Sequence, residues 1–242
     1  MTLTVGISIR NMGVESTPEL IRHCAVEAET AGLHSLWVTD HIAIPPDDAE
    51  GSAGRYLDPL ATLVWLGGQT SKILLGTGVV VLPYRPKVAL GKWVASVQEL
   101  TFERLILGVG IGWMRAEFDA VGIPFEDRAR ISEETLAYLH RGFSDDVVNE
   151  NGQDFIFSPR PKRPPILMGG AAPHATDRAL RFADGWFAMA GNPDVLAPSI
   201  KAYKKKADEA RKEANVITYV RADDVKMTLA DRLRRLEDIG VD

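Results

Sequence analysis

Residues 73–112, ILLGTGVVVLPYRPKVALGKWVASVQELTFERLILGVGIG, decide the fold class, because they contain two apolar strands separated by a helix. The segment Ile73–Leu82 is rich in β-branched residues and predicts one strand, and Leu105–Val109 predicts the other. The spacing of apolar residues across Lys87–Leu100 predicts the helix between them. Strands this apolar are buried on both faces, which is typical of a parallel sheet in an α/β protein.

The same strand-then-helix pattern continues on both sides of this segment and gives seven units in the 242 residues. Two architectures fit the pattern, a closed (β/α)₈ barrel and an open doubly wound sheet. The open sheet usually carries Gly-x-Gly-x-x-Gly at its first strand–helix turn, whereas this turn reads Arg10-Asn11-Met12-Gly13. We therefore predict an α/β chain with one TIM-like (β/α)₈ barrel domain over residues 1–242, in which the eighth strand is missing after Gly240.

The composition argues against several classes of protein. The hydrophobic share of 45% and the charged share of 25% are typical of globular proteins, and a net charge of −5 disfavours nucleic-acid binding. The absence of an 18-residue apolar run and of a signal-peptide pattern predicts a cytoplasmic protein without a membrane partner. The five histidines lack metal-ligand spacing and Cys24 is the single cysteine, so we expect no metal site.

An acid and an imidazole follow the second predicted strand. Asp40 and His41 come directly after Trp37–Thr39, at the strand end where barrel enzymes place their active sites. Histidine titrates near neutral pH and can exchange a proton with a reacting group. A structural hydrogen bond within the loop is the alternative interpretation. We assign Asp40 and His41 as candidate catalytic residues.

Glycines follow the third, fourth and fifth predicted strands, in Gly76–Gly78, Gly108–Gly112 and Gly169-Gly170. Glycine lets a flat ring approach the backbone closely, although simple packing of the strands also explains the first two groups. Trp113 follows the second group and suits a slot for a planar ligand or a packing position. The third group opens a helix, whose free N–H groups attract phosphate. Glu117, on the helix after Trp113, is typical of a surface charge.

Four segments together resemble the bacterial luciferase-like monooxygenase superfamily, and the resemblance covers most of the chain. It implies a TIM-like barrel with an insertion after strand four, which we place at residues 143–164. A small hairpin around Asn151-Gly152 is also expected there. The segments that carry the resemblance are Ser35–His41, Leu75–Glu117, Pro165–Gly170 and Ala183–Trp186.

Members of this superfamily bind FMN or coenzyme F420, a deazaflavin. The Trp-x-x-Asp-His ending of strand two is more similar to the F420-dependent branch. The resemblance then implies an oxidoreductase that transfers hydride between C5 of the deazaflavin and a small organic substrate, with Asp40 and His41 over the ring. It also implies a backbone bulge with a cis peptide at Gly78-Val79. The expected cofactor contacts are Thr77, Gly78, Val79, Gly110, Gly112, Trp113, Gly169, Gly170 and Asn192.

Two departures from one F420-dependent group limit what the resemblance implies. That group has an acid directly after Gly-x-Gly-x-Gly and a lysine at the end of strand six, where this sequence has Trp113 and Asn192. We therefore do not expect the sugar-phosphate dehydrogenase chemistry of that group. We also do not expect a lysine that binds the phosphate tail of the cofactor, and Arg10, Arg85 or Arg115 could supply the positive charge instead. Two other functions stay open, an FMN-dependent monooxygenase supplied by a partner flavin reductase and a non-catalytic flavin-binding protein. A homodimer is expected.

Overall fold

The computed structural model describes residues 3–221 and 227–242, which divide into two compact units. The N-terminal unit is Gly6–Pro165, and the C-terminal unit combines Ile166–Asp242 with Met1–Val5. Both units have parallel strands that alternate with helices along the chain. The single domain expected over residues 1–242 stays a prediction.

The N-terminal unit contains a parallel sheet, and its elements alternate as the sequence predicts. In chain order they are β1 (Gly6–Ser8), α1 (Pro18–Thr30), β2 (Ser35–Val38), α2 (Pro59–Gly67), β3 (Leu74–Thr77), β4 (Val80–Val81), α3 (Lys87–Leu100), β5 (Leu105–Gly110), α4 (Arg115–Val121), α5 (Arg128–Ser144), β6 (Val148–Glu150) and β7 (Gln153–Phe155). The order of the sheet is β1-β2-β3-β5, and the short strand β4 also pairs with β5.

The C-terminal unit continues the alternation with three more parallel strands. Its elements are β8 (Ile166–Gly170), α6 (His174–Phe182), β9 (Gly185–Ala188), α7 (Pro193–Glu209), β10 (Asn215–Thr218) and α8 (Leu229–Asp238). β9 lies between β8 and β10. Beside β10, the backbone N–H of Asp242 donates to the carbonyl of Val216 at 2.9 Å. The part of the chain that the structure describes contains no strand after β10.

Local capping signals start α1 and α2 where the sequence predicts. Thr17 Oγ1 accepts from the backbone N–H of Leu20, and Asp58 Oδ1 accepts from that of Ala61. Each cap precedes a proline at the first helical position, where the missing N–H costs no hydrogen bond. Both predicted starts are confirmed.

The single strand predicted over Ile73–Leu82 is wrong, because the structure divides it into β3 and β4. The interruption falls at Gly78-Val79, and the peptide bond between these two residues is cis. The cis peptide expected at this position is therefore confirmed.

The pairing register shows that the interruption is a bulge of one residue. Leu75 pairs with Leu105, whereas Val80 pairs with Val109. Five steps along β3 and β4 thus face four steps along β5, so one residue between the strands is extra. The expected backbone bulge is confirmed, and it ends the regular part of β3 at the carboxyl edge of the sheet.

The expected hairpin after strand four is also confirmed. β6 and β7 pair antiparallel inside the predicted insertion, residues 143–164. Asn151 and Gly152 connect them with positive φ values of 53° and 79°. Positive φ at both central residues is the requirement of a type I′ turn, which Asn-Gly satisfies at low steric cost.

Two features are missing from residues 3–221 and 227–242. No helix in these ranges is long and apolar enough to cross a membrane. No group of three or more His, Cys, Asp or Glu side chains in them lies close enough to hold a metal ion.

Candidate active site

The carboxyl edge of the N-terminal sheet gathers most of the residues that the sequence singles out. β2, β3 and β5 are adjacent parallel strands, so their carboxyl ends lie at the same edge. Barrel and open α/β proteins bind their ligands at this edge. The predicted site residues that follow or end these strands are Asp40, His41, Thr77, Gly78, Val79, Gly110, Gly112 and Trp113.

Asp40 is a buried ion-pair partner whose side chain has no exposed surface. Arg85 binds it in a bidentate way, with Nη1 2.6 Å from Oδ2 and Nη2 2.9 Å from Oδ1. The same guanidinium donates to Asp58 at 2.7 Å, and the backbone N–H of Val81 donates to Asp40 at 2.9 Å. Asp40 therefore joins the end of β2 to β4, just beyond the bulge.

The expectation that Arg85 could hold a phosphate is wrong. Its side chain is buried and its guanidinium is bound to Asp40 and Asp58. Of the other two arginines considered, Arg115 is exposed and pairs with Glu126 at 2.8 Å, and Arg10 is exposed and donates to the carbonyl of Gly51.

Asn11 fixes the end of β2, although its sequence context gave no reason to select it. Its buried amide donates to the carbonyls of Thr39 and Leu57, both at 2.8 Å. Its Oδ1 accepts from the backbone N–H and the hydroxyl of Thr39. The turn that carries Asp40 is thus held from the side of β1 as well as from β4.

Glu117 is the central group beside His41, and it is only 1% exposed. Its Oε2 lies 3.0 Å from His41 Nδ1 and accepts from the Tyr84 hydroxyl at 2.8 Å. Its Oε1 accepts from the backbone N–H groups of Ile42 and Ala43 at 2.6 and 3.1 Å. The carboxylate thus has partners on both oxygens and holds the loop after β2.

The hydrogen bonds to Glu117 decide its protonation state. Burial alone raises the pKa of the carboxyl, but the bonds from His41, Ile42, Ala43 and Tyr84 outweigh it and lower the pKa to about 2. Burial, together with the bond to Glu117, raises the pKa of the Tyr84 hydroxyl. At neutral pH the pair is therefore an ionised carboxylate and a protonated phenol.

The interpretation of Glu117 as a surface charge is wrong. Phe118 anchors α4 by packing edge-on against Tyr84 and Phe125, with ring centroids 5.2 and 5.1 Å apart, and this turns Glu117 inward. The sequence contains one signal that could have identified it. Glu117 lies in the first turn of a helix that follows the carboxyl end of a buried strand, which is the functional edge of the sheet.

His41 is partly exposed and lies between two aromatic side chains. Its side chain is 20% exposed, with the Tyr56 ring 4.8 Å away and the Trp113 ring edge-on at 6.2 Å. Trp113 itself is 71% exposed. Within the ranges 3–221 and 227–242, Nε2 of His41 has no hydrogen-bond partner. This imidazole can therefore meet a bound molecule, whereas the carboxylates of Asp40 and Glu117 are sequestered.

The glycines at the end of β5 make room for side chains of the protein. A Cβ at Gly110 would lie 2.7 Å from Cγ2 of Val79, and one at Gly112 would lie 2.7 Å from the Phe118 ring. Gly112 also has a φ of +81°, which other residues rarely adopt. Thr77 is fully buried and donates to the carbonyl of Gly108 at 2.7 Å. The expected cofactor contacts of Thr77, Gly110 and Gly112 stay predictions.

Three predicted cofactor contacts belong to the C-terminal unit. Gly169 and Gly170 end β8, and the carbonyl of Gly170 accepts from Trp186 Nε1 at 2.8 Å. Asn192 caps α7, because its Oδ1 accepts from the backbone N–H of Asp194 at 2.9 Å. These assignments also stay predictions.

Comparison with known proteins identifies the family. The model of the luciferase-like monooxygenase family matches residues 1–223. The chain belongs to this family. The structure of the oxygenating component of 3,6-diketocamphane monooxygenase from Pseudomonas putida superposes with a TM-score of 0.72 at 16% identity, over 89% of this chain and 66% of that one. The predicted α/β fold of the TIM-like barrel type, like the family resemblance, is confirmed.

Two curated relatives of this luciferase-like chain are named enzymes. The 5,10-methylenetetrahydromethanopterin reductase of Methanolobus tindarius is 32% identical in an alignment of 230 positions, which covers 90% of this chain and 64% of the relative. The F420-dependent glucose-6-phosphate dehydrogenase of Kineococcus radiotolerans is 32% identical in an alignment of 200 positions, which covers 76% of this chain and 58% of the relative. The chain thus spans about three-fifths of the length of these two relatives.

Proposed function

We propose that this luciferase-like protein is an F420-dependent oxidoreductase that acts on a small organic substrate. The observation that carries the proposal is His41, a partly exposed imidazole held by a buried carboxylate at the carboxyl edge of the sheet. It lies at the same edge as the bulge at Gly78-Val79, which the superfamily resemblance associates with support of a flavin-like ring.

The bulge offers a suitable surface for a flat, apolar ring. Val79 is only partly buried, and Gly110 behind it leaves room for its side chain, which a Cβ would otherwise meet at 2.7 Å. When bound, the deazaflavin supplies two-electron hydride chemistry at C5, and the protein supplies orientation and exclusion of water. We assign Val79 as the residue that backs the ring.

His41 and Asp40 have different roles in this proposal. His41 is the catalytic residue, which hydrogen-bonds the substrate or exchanges a proton with it through Nε2. The side chain of Asp40 is fully buried and is bound by Arg85 and Val81, so Asp40 acts as a positioning residue for the loop that carries His41. The sequence assigns both as candidate catalytic residues, and this proposal keeps that role for His41 alone.

Sequence similarity supports F420 as the cofactor, and FMN is the alternative. The Kineococcus relative is named as F420-dependent and shares 32% identity. The diketocamphane monooxygenase was solved in complex with FMN, and it shares the fold at 16% identity. The closer sequence similarity favours F420, and an FMN-dependent monooxygenase served by a flavin reductase is the second candidate.

An assay with two reduced cofactors separates these candidates. We expect anaerobic oxidation of reduced F420 by at least one compound in a panel of small aldehydes, ketones and activated alkenes, or reduction of F420 by the corresponding alcohols. With reduced FMN and oxygen, we expect no oxygen consumption above the rate without protein. Consumption of oxygen coupled to a product, with no F420 turnover, would instead assign the protein as a monooxygenase.

A further inference from the structure

The hydrogen-bond chemistry around Glu117 restricts which nitrogen of His41 carries a proton. An ionised carboxylate has no hydrogen to donate, so every contact with its oxygens is made by a donor. Glu117 is ionised, since its pKa is about 2. The contact of 3.0 Å between its Oε2 and Nδ1 of His41 therefore requires a hydrogen on Nδ1.

The other hydrogen bonds of Glu117 fix the orientation of its carboxylate and keep it ionised. Its Oε1 accepts from the backbone N–H groups of Ile42 and Ala43, which are fixed donors. Tyr84 keeps its proton and donates it to Oε2, the oxygen that also faces His41. The carboxylate thus cannot turn away or take up a proton without losing hydrogen bonds to buried donors, which is unfavourable because the donors would be left unpaired.

We propose that Glu117 holds the neutral imidazole of His41 in the tautomer with the hydrogen on Nδ1, which leaves Nε2 as a hydrogen-bond acceptor. Glu117 is then a positioning residue that acts through His41. The aromatic rings beside it are Tyr56 and Trp113, and Nε2 has no hydrogen-bond partner in the described ranges. In its neutral state His41 thus presents a lone pair to bound molecules and selects a group with an O–H or N–H.

The tautomer of His41 bears on the proposed function, but it is a property of the ligand-free protein and can be measured without any cofactor or substrate. The tautomer of a histidine is directly visible in the ¹⁵N–¹H correlations of a labelled protein, because protonated and unprotonated ring nitrogens have distinct shifts. We expect that His41 in the ligand-free protein, in mildly alkaline buffer, shows a protonated Nδ1 and an unprotonated Nε2. The spectrum of His41→Ala identifies its signals among the five histidines.

The variant Glu117→Gln tests the cause. The glutamine carbonyl would replace Oε1 as acceptor for the two backbone N–H groups, and its NH₂ group would face Nδ1 as a donor. We expect the hydrogen of neutral His41 to move to Nε2 in this variant. Tyr84→Phe is the matched control, because it removes another partner of Oε2 but leaves the carboxylate, so the wild-type tautomer is expected to persist.

The outcomes are decisive without an activity assay. A neutral His41 with its hydrogen on Nε2 and none on Nδ1 in the wild-type protein would overturn the proposal, whether or not any variant folds. An unchanged tautomer in folded Glu117→Gln would also contradict it, since Glu117 would then not determine the state of His41. If the tautomers are as expected but reduced F420 is never oxidised, the proposed function fails and this inference stands.

Discussion

Replacement of Asp40 by alanine is expected to lower the free energy of unfolding by about 3–5 kcal/mol, the typical cost of removing one partner of a buried ion pair. The substitution leaves the buried guanidinium of Arg85 with Asp58 alone, and Asp58 is partly exposed. It also deprives the backbone N–H of Val81 of its acceptor. Urea denaturation of wild type and variant, followed by far-UV circular dichroism, measures the difference.

Asp146→Ala is the matched control for this change. Asp146 also pairs with an arginine, Arg160, but its carboxylate is almost fully exposed. Exposed ion pairs contribute little to stability, so its denaturation midpoint is expected to match the wild type. If Asp40→Ala were as stable as this control, the interpretation of Asp40 as a positioning residue would be refuted, and a direct role in catalysis would regain support.

Replacement of His41 by alanine is expected to lower kcat by about 10²- to 10⁴-fold, the usual contribution of a positioned general acid or base. The measurement uses the F420-linked substrate found in the panel and compares kcat with the dissociation constant of the cofactor. We expect the dissociation constant to change little, because the assigned support of the ring comes from Val79 and not from His41.

His34→Ala is the control for general effects of losing an imidazole. His34 precedes β2 at its amino end, so it lies at the edge of the sheet opposite to His41, and it is exposed. Its kcat is expected to match the wild type. A His41→Ala enzyme with undiminished kcat would restrict His41 to a structural role.

The sequence predicts those parts of the fold that depend on local chemistry. Thr17-Pro18 and Asp58-Pro59 each combine a side-chain cap with a proline, so the helix starts follow from neighbouring residues alone. Asn151-Gly152 specifies a hairpin turn in the same way. The position of Asp40 and His41 at a strand end also follows from the sequence, because parallel strands place such residues at one edge.

The roles of the site residues depend on contacts between distant segments, which sequence spacing does not reveal. Asp40 and Arg85 are 45 positions apart, and His41 and Glu117 are 76 apart. A carboxylate on a short helix is usually exposed, whereas the packing of Phe118 and the hydrogen bonds from the loop after β2 bury Glu117. The interruption of the strand after Gly78 also does not follow from the sequence pattern. The apolar pattern of Ile73–Leu82 alone predicts a continuous strand, and the family resemblance implies the interruption.

Titration of the ligand-free protein with F420 and with FMN, side by side and followed by fluorescence, tests the central claim most directly. The proposed function predicts saturable binding of F420 at least about tenfold tighter than that of FMN, a difference of about 1.4 kcal/mol. Tighter binding of FMN, or no binding of F420, would contradict the assignment of this luciferase-like chain as an F420-dependent oxidoreductase.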